Sequence, residues 1–378
     1  MSLLRTLSVA ALSALATLLP VAPAAAQQGV TGETITLGHS GALSGPLSEL
    51  NKEYLSGATL YFDQLNARGG VHGRRILLDT MDDAYDPARA ADNVRKMVGE
   101  GRVFALFACF GTGPSQKAIP IASAARVPFF APYTGADALR EHNVYVFHLR
   151  ASYGQEIEKM VEHLTRLGVT SIGVVHHADP FGQAGLDAAM RALEKRGLKA
   201  SVVAPIASSG ADAADAVGKI GAAPPAAVIM VTAGNSSAAF LRALQEAGQQ
   251  PMLYGLSVIS SKQLIRELGE KAHGLVIAQV MPTPFRVDYP VVREYRQAAD
   301  KAAQGYSHTA LEGYVAARTF AEALRRAGRE LTREKLVAML DDMRDVEIGG
   351  LKLRFSPRNH VGLDFIDLTV ISRGNFAK

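Results

Sequence analysis

The chain has 378 residues, 40 Lys and Arg against 36 Asp and Glu for a formal net charge of +4, 48% hydrophobic residues and one cysteine, Cys109. So slight a charge balance, with the basic residues scattered, argues against the concentrated basic face of a nucleic-acid binder, and one cysteine excludes an intramolecular disulfide. At roughly 100 to 200 residues per domain, the length suggests two domains.

The first 26 residues hold a single charge, Arg5, then an apolar run over 7–19, and end in Ala24-Ala25-Ala26 before Gln27. This predicts a cleaved secretory signal peptide over residues 1–26. Its apolar core is shorter than the roughly 20 residues of a membrane helix, and no other stretch reaches that length. Losing Arg5 with the leader lowers the formal charge from +4 to +3. Gln27, not a cysteine that could carry a lipid, directly follows the cleavage point, so the expectation is a soluble periplasmic protein. Cys109, at the end of an apolar run with no His or Arg beside it, reads as a buried structural thiol.

After the leader, a strand is predicted over 34–37. The small-residue loop 38–46 and a helix over 54–67 follow, stopping at Gly69-Gly70. Next come a strand over 76–80 and the segment DDAYDP, in which Asp86 can cap a helix starting at Pro87. Residues 103–134 read as strand 103–109, Gly-rich turn 110–115, helix 116–125 and strand 127–131, breaking at Pro132-Tyr133-Thr134-Gly135. A helix between two apolar runs makes a parallel crossover, so both strand ends and their loops open on one sheet edge, where open α/β sheets bind ligands. Phe110, Gly111, Thr112, Tyr133, Thr134 and Gly135 are therefore predicted to form half of a small-molecule site.

The alternation then restarts. Strands are expected at 144–150, 172–176, 200–206, 226–232, 252–255 and 275–280, with helices at 153–167, 183–196, 211–220 and 238–247 between them. Helices over 291–304, 308–327 and 332–343, a Gly349-Gly350 turn and a strand over 365–372 complete the chain. The pattern predicts an α/β protein of two doubly wound parallel-sheet lobes.

The turn FGTGPS offers G-x-G between strand and helix, but Gln116 stands where a dinucleotide fingerprint needs glycine. What survives is a set of free N–H groups at a helix start, with the Thr112 and Ser115 hydroxyls, suited to a carboxylate or similar anion; a tight turn with capping hydroxyls is the alternative. Adjacent His176 and His177 point to opposite faces of a strand and do not predict a shared metal. Phe181 in the following loop can wall a pocket or belong to the core. No G-x-S-x-G elbow occurs, since Gly255-Leu256-Ser257-Val258-Ile259 lacks the second glycine. No metal or cofactor is expected.

GALSGP (41–46), YLSGATLYFDQLNARGGVHGR (54–74) and DDAYDP (82–87) resemble the opening signature of periplasmic solute-binding proteins for branched-chain amino acids, the receptors of ABC importers with the type I periplasmic-binding fold. FGTG, VPFFAPYTGADALR, VVHHADPFGQAG, AGNSSAAFLRA and ALEGYVAARTFAEALR follow in the expected order. The resemblance implies two lobes joined by a three-strand hinge, with residues 29–148 and 280–354 in the first and 149–279 and 355–378 in the second, closing over a ligand. It places the ligand carboxylate at Gly111 to Gly113, with Thr112 best placed, then Tyr133, Thr134 and Gly135 in the next loop and Leu50 against the ligand side chain. From the second lobe it places Phe181, Asn235 and Ser257. It implies a small-molecule carboxylate ligand, a membrane permease and ATPase as partners, a monomer, and no catalysis.

Two departures stand out. Ser257 occupies the position of an acidic residue that pairs with a ligand ammonium, and a buried unpaired ammonium costs several kcal/mol. A carboxylate without an amine, such as an aromatic or short organic acid, is thus a candidate beside an amino acid. Tyr85 stands where some relatives carry a cysteine, which leaves Cys109 unpaired. A ligand-sensing module for a membrane receptor and an exported α/β enzyme are the alternative functions.

Overall fold

The computed structural model describes residues 27–373 and 375–376; the signal-peptide expectation over residues 1–26 lies outside the described residues. The first lobe opens with β1 (Thr34–Gly41), α1 (Ser48–Ala67), β2 (Arg75–Asp82), α2 (Pro87–Gly99), β3 (Ala105–Phe107), α3 (Thr112–Ala124), β4 (Phe129–Phe130) and β5 (Val146–Phe147). Its strands form a five-stranded parallel sheet in the order β2-β1-β3-β4-β5.

The second lobe contains α4 (Tyr153–Arg166), β6 (Ile172–His177), α5 (Pro180–Glu194), β7 (Val203–Ile206), α6 (Ala213–Ala222), β8 (Ala227–Val231), α7 (Asn235–Glu246), β9 (Met252–Gly255), α8 (Ser261–Leu268) and β10 (Val276–Gln279). The chain returns to the first lobe for α9 (Pro290–Lys301), α10 (His308–Ala327), α11 (Arg333–Asp341) and the hairpin β11 (Arg344–Ile348) and β12 (Leu351–Arg354). It ends back in the second sheet with β13 (Asp367–Ser372) and β14 (Asn375–Phe376), in the order β14-β13-β10-β9-β8-β6-β7.

The expected parallel sheets need one correction. In the second lobe β13 runs antiparallel to β10, and β14 antiparallel to β13, because the chain leaves β10 toward the first lobe and returns across the same edge, so that Asp367 at the start of β13 pairs with Gln279 at the end of β10.

The strand expected over 103–109 is also shorter in the structure. Ala108 and Ala131 both take left-handed φ, 55° and 52°, which ends β3 and β4 at one level. Pairing resumes one step on, as a parallel bridge between Phe110 and Tyr133. The kink turns both loops toward the second lobe. Upstream, the carbonyls of Val103 and Phe104 accept from Arg333 at 2.8 and 2.9 Å instead of a neighbouring strand.

Helices cover both faces of the first sheet. On one, α2 and α3 pack Val94, Met97, Ala118 and Ala122 against Leu106 and Phe129. On the other, Phe107, Phe130 and Phe320 meet ring to ring at 5.2 to 6.2 Å. There α1 and α10 touch backbone to backbone: a Cβ on Gly57 would fall 1.7 Å from the Ala310 carbonyl oxygen, and one on Gly313 2.0 Å from that of Tyr54. Asp86 caps α2 through the amides of Ala88 and Arg89, as its sequence predicts.

The chain crosses between lobes after β5, β10 and β12. Two crossings run side by side, since Gly362 and Leu363 donate their amides to the His148 and Leu149 carbonyls at 2.8 Å.

Candidate ligand cleft between the lobes

The kinked ends of β3 and β4 bring the two predicted loops together. Gly111, at φ 97°, precedes α3, and the Thr112 and Thr134 hydroxyls lie 2.7 Å apart. The Ser115 amide bonds the Gly111 carbonyl and Pro114 has none, so the amides of Thr112 and Gly113 are the unclaimed donors of the first turn. The fully buried Ser115 hydroxyl lacks a hydrogen-bond partner. These groups form a short arc of donors at the positive end of a helix.

Across from them lies the second lobe. The space between is a cavity of about 20 Å³, room for one or two waters, so the lobes are closed on each other. Leu47, Leu50, Tyr85, Phe110, Gly111, Thr112 and Tyr133 line it from the first lobe, and Tyr153, Phe181, Ala233 and Val258 from the second. Phe110 stacks on Tyr133 at 5.3 Å, and Tyr153 meets Phe181 edge-on at 5.3 Å. Aromatic rings thus dominate both walls. The closed seam is tied by Ser260 donating to Glu53 at 3.0 Å and Arg266 to Glu49 at 2.8 Å. A larger groove of about 510 Å³ lies at the far ends of α1 and α10. Its Arg318, Arg325 and Arg326 pair with Glu294 and Glu322, which makes it a solvated ion-pair surface.

Of the predicted site residues, Leu50, Phe110, Gly111, Thr112, Tyr133 and Phe181 line the cavity. Thr134 supports Thr112 from behind. Gly135 backs Tyr153, since a Cβ there would stand 2.5 Å from the ring. Asn235 accepts from Gln263 at 2.9 Å, off the cavity wall. Ser257 turns its hydroxyl to Arg150 and Glu156 and its amide to Glu156 at 2.8 Å, leaving the wall to its neighbour Val258.

Behind Tyr133 and Ser257 lies a charged cluster that sequence reasoning missed. Arg150 is 2% exposed and reaches Glu156 at 3.2 Å and Glu312 at 3.6 Å, with its guanidinium 5.2 and 5.7 Å from the Tyr133 and Tyr153 ring centres. Burial disfavours the Arg150 charge, but Glu312 and Glu156 outweigh it and keep the guanidinium protonated. Burial pushes Glu312 up to about 7 and raises Glu156, in both cases against the pull of Arg150. Nε and Nη1 of Arg150 and the Tyr133 hydroxyl have no hydrogen-bond partner. The signal for this cluster lay in spacing alone: Glu156 falls in the first turn of α4, whose capping box joins Ser152 and Gln155.

His177 Nε2 lies 2.6 Å from Ser236 Oγ, and Nδ1 lies 3.4 Å from Asp179, in the chain of contacts of a nucleophile, base and acid. All of Ser236 is buried and its hydroxyl donates to the Ala233 carbonyl at 2.9 Å, so the trio braces the loop before α7. No cluster of metal-ligating side chains occurs among the described residues, and none of their helices is long and apolar enough to cross a membrane.

Two doubly wound lobes, crossed three times by one chain and shut over an aromatic cavity at their strand ends, define a type I periplasmic-binding fold. Residues 34–371 match the periplasmic binding protein family model, and the chain belongs to that family. It is 26% identical over 340 residues to Leu/Ile/Val-binding protein homolog 7 of Brucella abortus, covering 84% of this chain and 80% of that protein; the match to the Brucella suis protein of the same name spans 61% of its length. Among solved structures, a substrate-binding periplasmic protein from Ralstonia solanacearum is 33% identical with a TM-score of 0.85, covering 90% of this chain and 98% of that one. A possible leucine/isoleucine/valine-binding protein from Rhodopirellula baltica is 29% identical with a TM-score of 0.86, covering 94% and 97%.

Proposed function

We propose that this protein captures a small carboxylate-bearing solute in the inter-lobe cleft by domain closure and presents it, from the periplasm, to an ABC permease and its ATPase. The observation that carries the reading is the pair of free amides at the start of α3, that of Thr112, which lines the cavity, and that of Gly113 beside it, where the rest of the wall is mostly aromatic and aliphatic, which suits one anionic group on an apolar body. The moving bodies are residues 29–148 with 280–354 and residues 149–279 with 355–378, hinged where 148–149 and 361–363 run together. Closure stores no chemistry: the ligand favours a closed state, held wider than the cavity of about 20 Å³ now between the lobes, by binding it better, and the protein acts without turnover, as a monomer.

The carboxylates around the cleft are already engaged, Glu156 and Glu312 by Arg150 and Asp179 by the Gly182 amide and His177. An apolar carboxylate without an amine, aromatic or branched, is therefore the favoured class over an α-amino acid, whose ammonium would need one of them released. Thermal unfolding with L-leucine, 4-methylpentanoate, L-phenylalanine and 3-phenylpropanoate tests both points. A ligand at 100 times its Kd adds about 2.7 kcal/mol of stability, and the amine-free partner of each pair should give the larger shift. Thr112→Val should weaken that binding by about tenfold. No shift with any carboxylate would remove the anion assignment.

A further inference from the structure

Tyr85 is held in a conformation that its own residue type disfavours. Ala84 and Tyr85 both have positive φ, 50° and 67°, a region that non-glycine residues seldom occupy in succession and that gathers at functional sites. The turn is enforced from below: Asp82 accepts the Ala84 amide at 2.9 Å and Asp83 the Tyr85 amide at 2.8 Å, while Asp83 is fixed by the Ser40 hydroxyl at 2.7 Å. So aimed, the ring meets Phe110 edge-on at 6.0 Å. It covers the start of α3 so closely that a Cβ on Gly111 would stand 2.4 Å from it.

The ring lines the cavity, across which stands Phe181 of the second lobe. There the start of α5, capped by Asp179, lies against the start of α3: Phe181 lines the same cavity as Tyr85, and a Cβ on Gly113 would stand 3.5 Å from Pro180. Burial, and after it the Asp179 charge, raise the Tyr85 phenol above its ordinary range. Thr112 engages its hydroxyl within its own lobe and Tyr133 leaves its hydroxyl unpartnered, which leaves Tyr85 as the polar wall residue of these three available to the start of α5.

We propose that Tyr85 is a specificity-determining residue of the cleft: its ring limits the length of the ligand's apolar body, and its hydroxyl couples that wall to closure through Asp179. The proposal rests on the carboxylate-capture reading for its first half and, for its second, on the meeting of Tyr85 with the Asp179-capped start of α5 across the cavity.

Calorimetric titration of 3-phenylpropanoate and 5-phenylpentanoate into wild type, Tyr85→Phe and Tyr85→Ala tests the first half. Tyr85→Ala should shift the affinity ratio toward the longer acid by about tenfold, whereas Tyr85→Phe should keep the ratio. An unchanged ratio in a Tyr85→Ala protein with wild-type circular dichroism overturns the proposal. Small-angle scattering of the ligand-free proteins tests the second half: Tyr85→Phe and Asp179→Asn should each enlarge the radius of gyration, and the double variant no more than either alone. Unchanged or additive radii overturn the coupling. If the wild type binds neither acid, the capture reading and the length limit fall together, and scattering still decides the link to Asp179.

Discussion

Arg150 shows how one side chain ties the ligand wall to the hinge. It lies just past β5, in the crossing segment, and bonds Ser257 and Glu156 of one lobe while facing Glu312 of the other. Removing one member of a buried ion cluster strands the others without solvent, so Arg150→Ala should cost roughly 3–5 kcal/mol, read as a lower urea midpoint with an unchanged slope. Glu312 carries the pH dependence. Burial, partly offset by Arg150, holds its folded pKa near 7, above its ordinary 4.5. A carboxyl raised in this way favours the fold fully below 4.5 and loses that contribution as pH rises through about 7. Wild-type stability relative to Glu312→Gln should therefore decline between pH 4.5 and about 7. Parallel stability curves for the two proteins would show that Glu312 does not titrate in that window.

At the level of elements, the α1–α10 pair governs where Glu312 and Tyr54 stand. Both helices are long, and they meet where each offers a glycine: Gly57 against Ala310, Gly313 against Tyr54. A methyl group has no space there and the obstacle is backbone, which cannot rotate away. Gly313→Ala should push the helices apart at a cost of about 1–3 kcal/mol, seen as a drop in Tm. It should also loosen the Tyr54–Tyr133 contact, now 4.5 Å, so ligand affinity should fall with stability. In the other lobe the Ser152–Gln155 capping box sets the first residue of α4. It thereby fixes Glu156, one turn in, beneath Ser257.

For the whole molecule, closure depends on how near the lobes can come. Gly234, before α7, holds φ 58° and ψ −131°, a conformation essentially reserved for glycine. A Cβ there would lie 2.7 Å from the Pro46 carbonyl oxygen of the opposite lobe. Gly234→Ala should thus hold the cleft ajar, lowering carboxylate affinity by about tenfold or more from strain of about 1–3 kcal/mol. Scattering should show a larger radius with added 3-phenylpropanoate than the wild type shows. A variant that closes and binds normally would mean that the lobes meet elsewhere.

Alternating apolar runs and helical faces were enough to place most of the β/α order, the Asp86 cap and α10 at residues 308–327, though not α8, the β11–β12 hairpin or the start of α3 at Thr112, because local periodicity and capping chemistry decide the strongly patterned elements. The pairing of the 110–112 and 133–135 loops also followed from sequence, since a parallel crossover forces both ends to one edge. Other features needed the tertiary structure. The left-handed kinks at Ala108 and Ala131 carry no residue signature, and β13 reads alike whether it pairs parallel or antiparallel. Ser257 sits at the cleft by chain order, yet a partner 101 residues away, Glu156, turns its hydroxyl from the cavity. Tyr85 lay in the DDAYDP segment, but its place on the cavity wall opposite Phe181 depends on the second lobe lying across from it. Local sequence thus determined the elements and the loops of the first wall, whereas long-range packing of charge and backbone decided which side chains face the cavity.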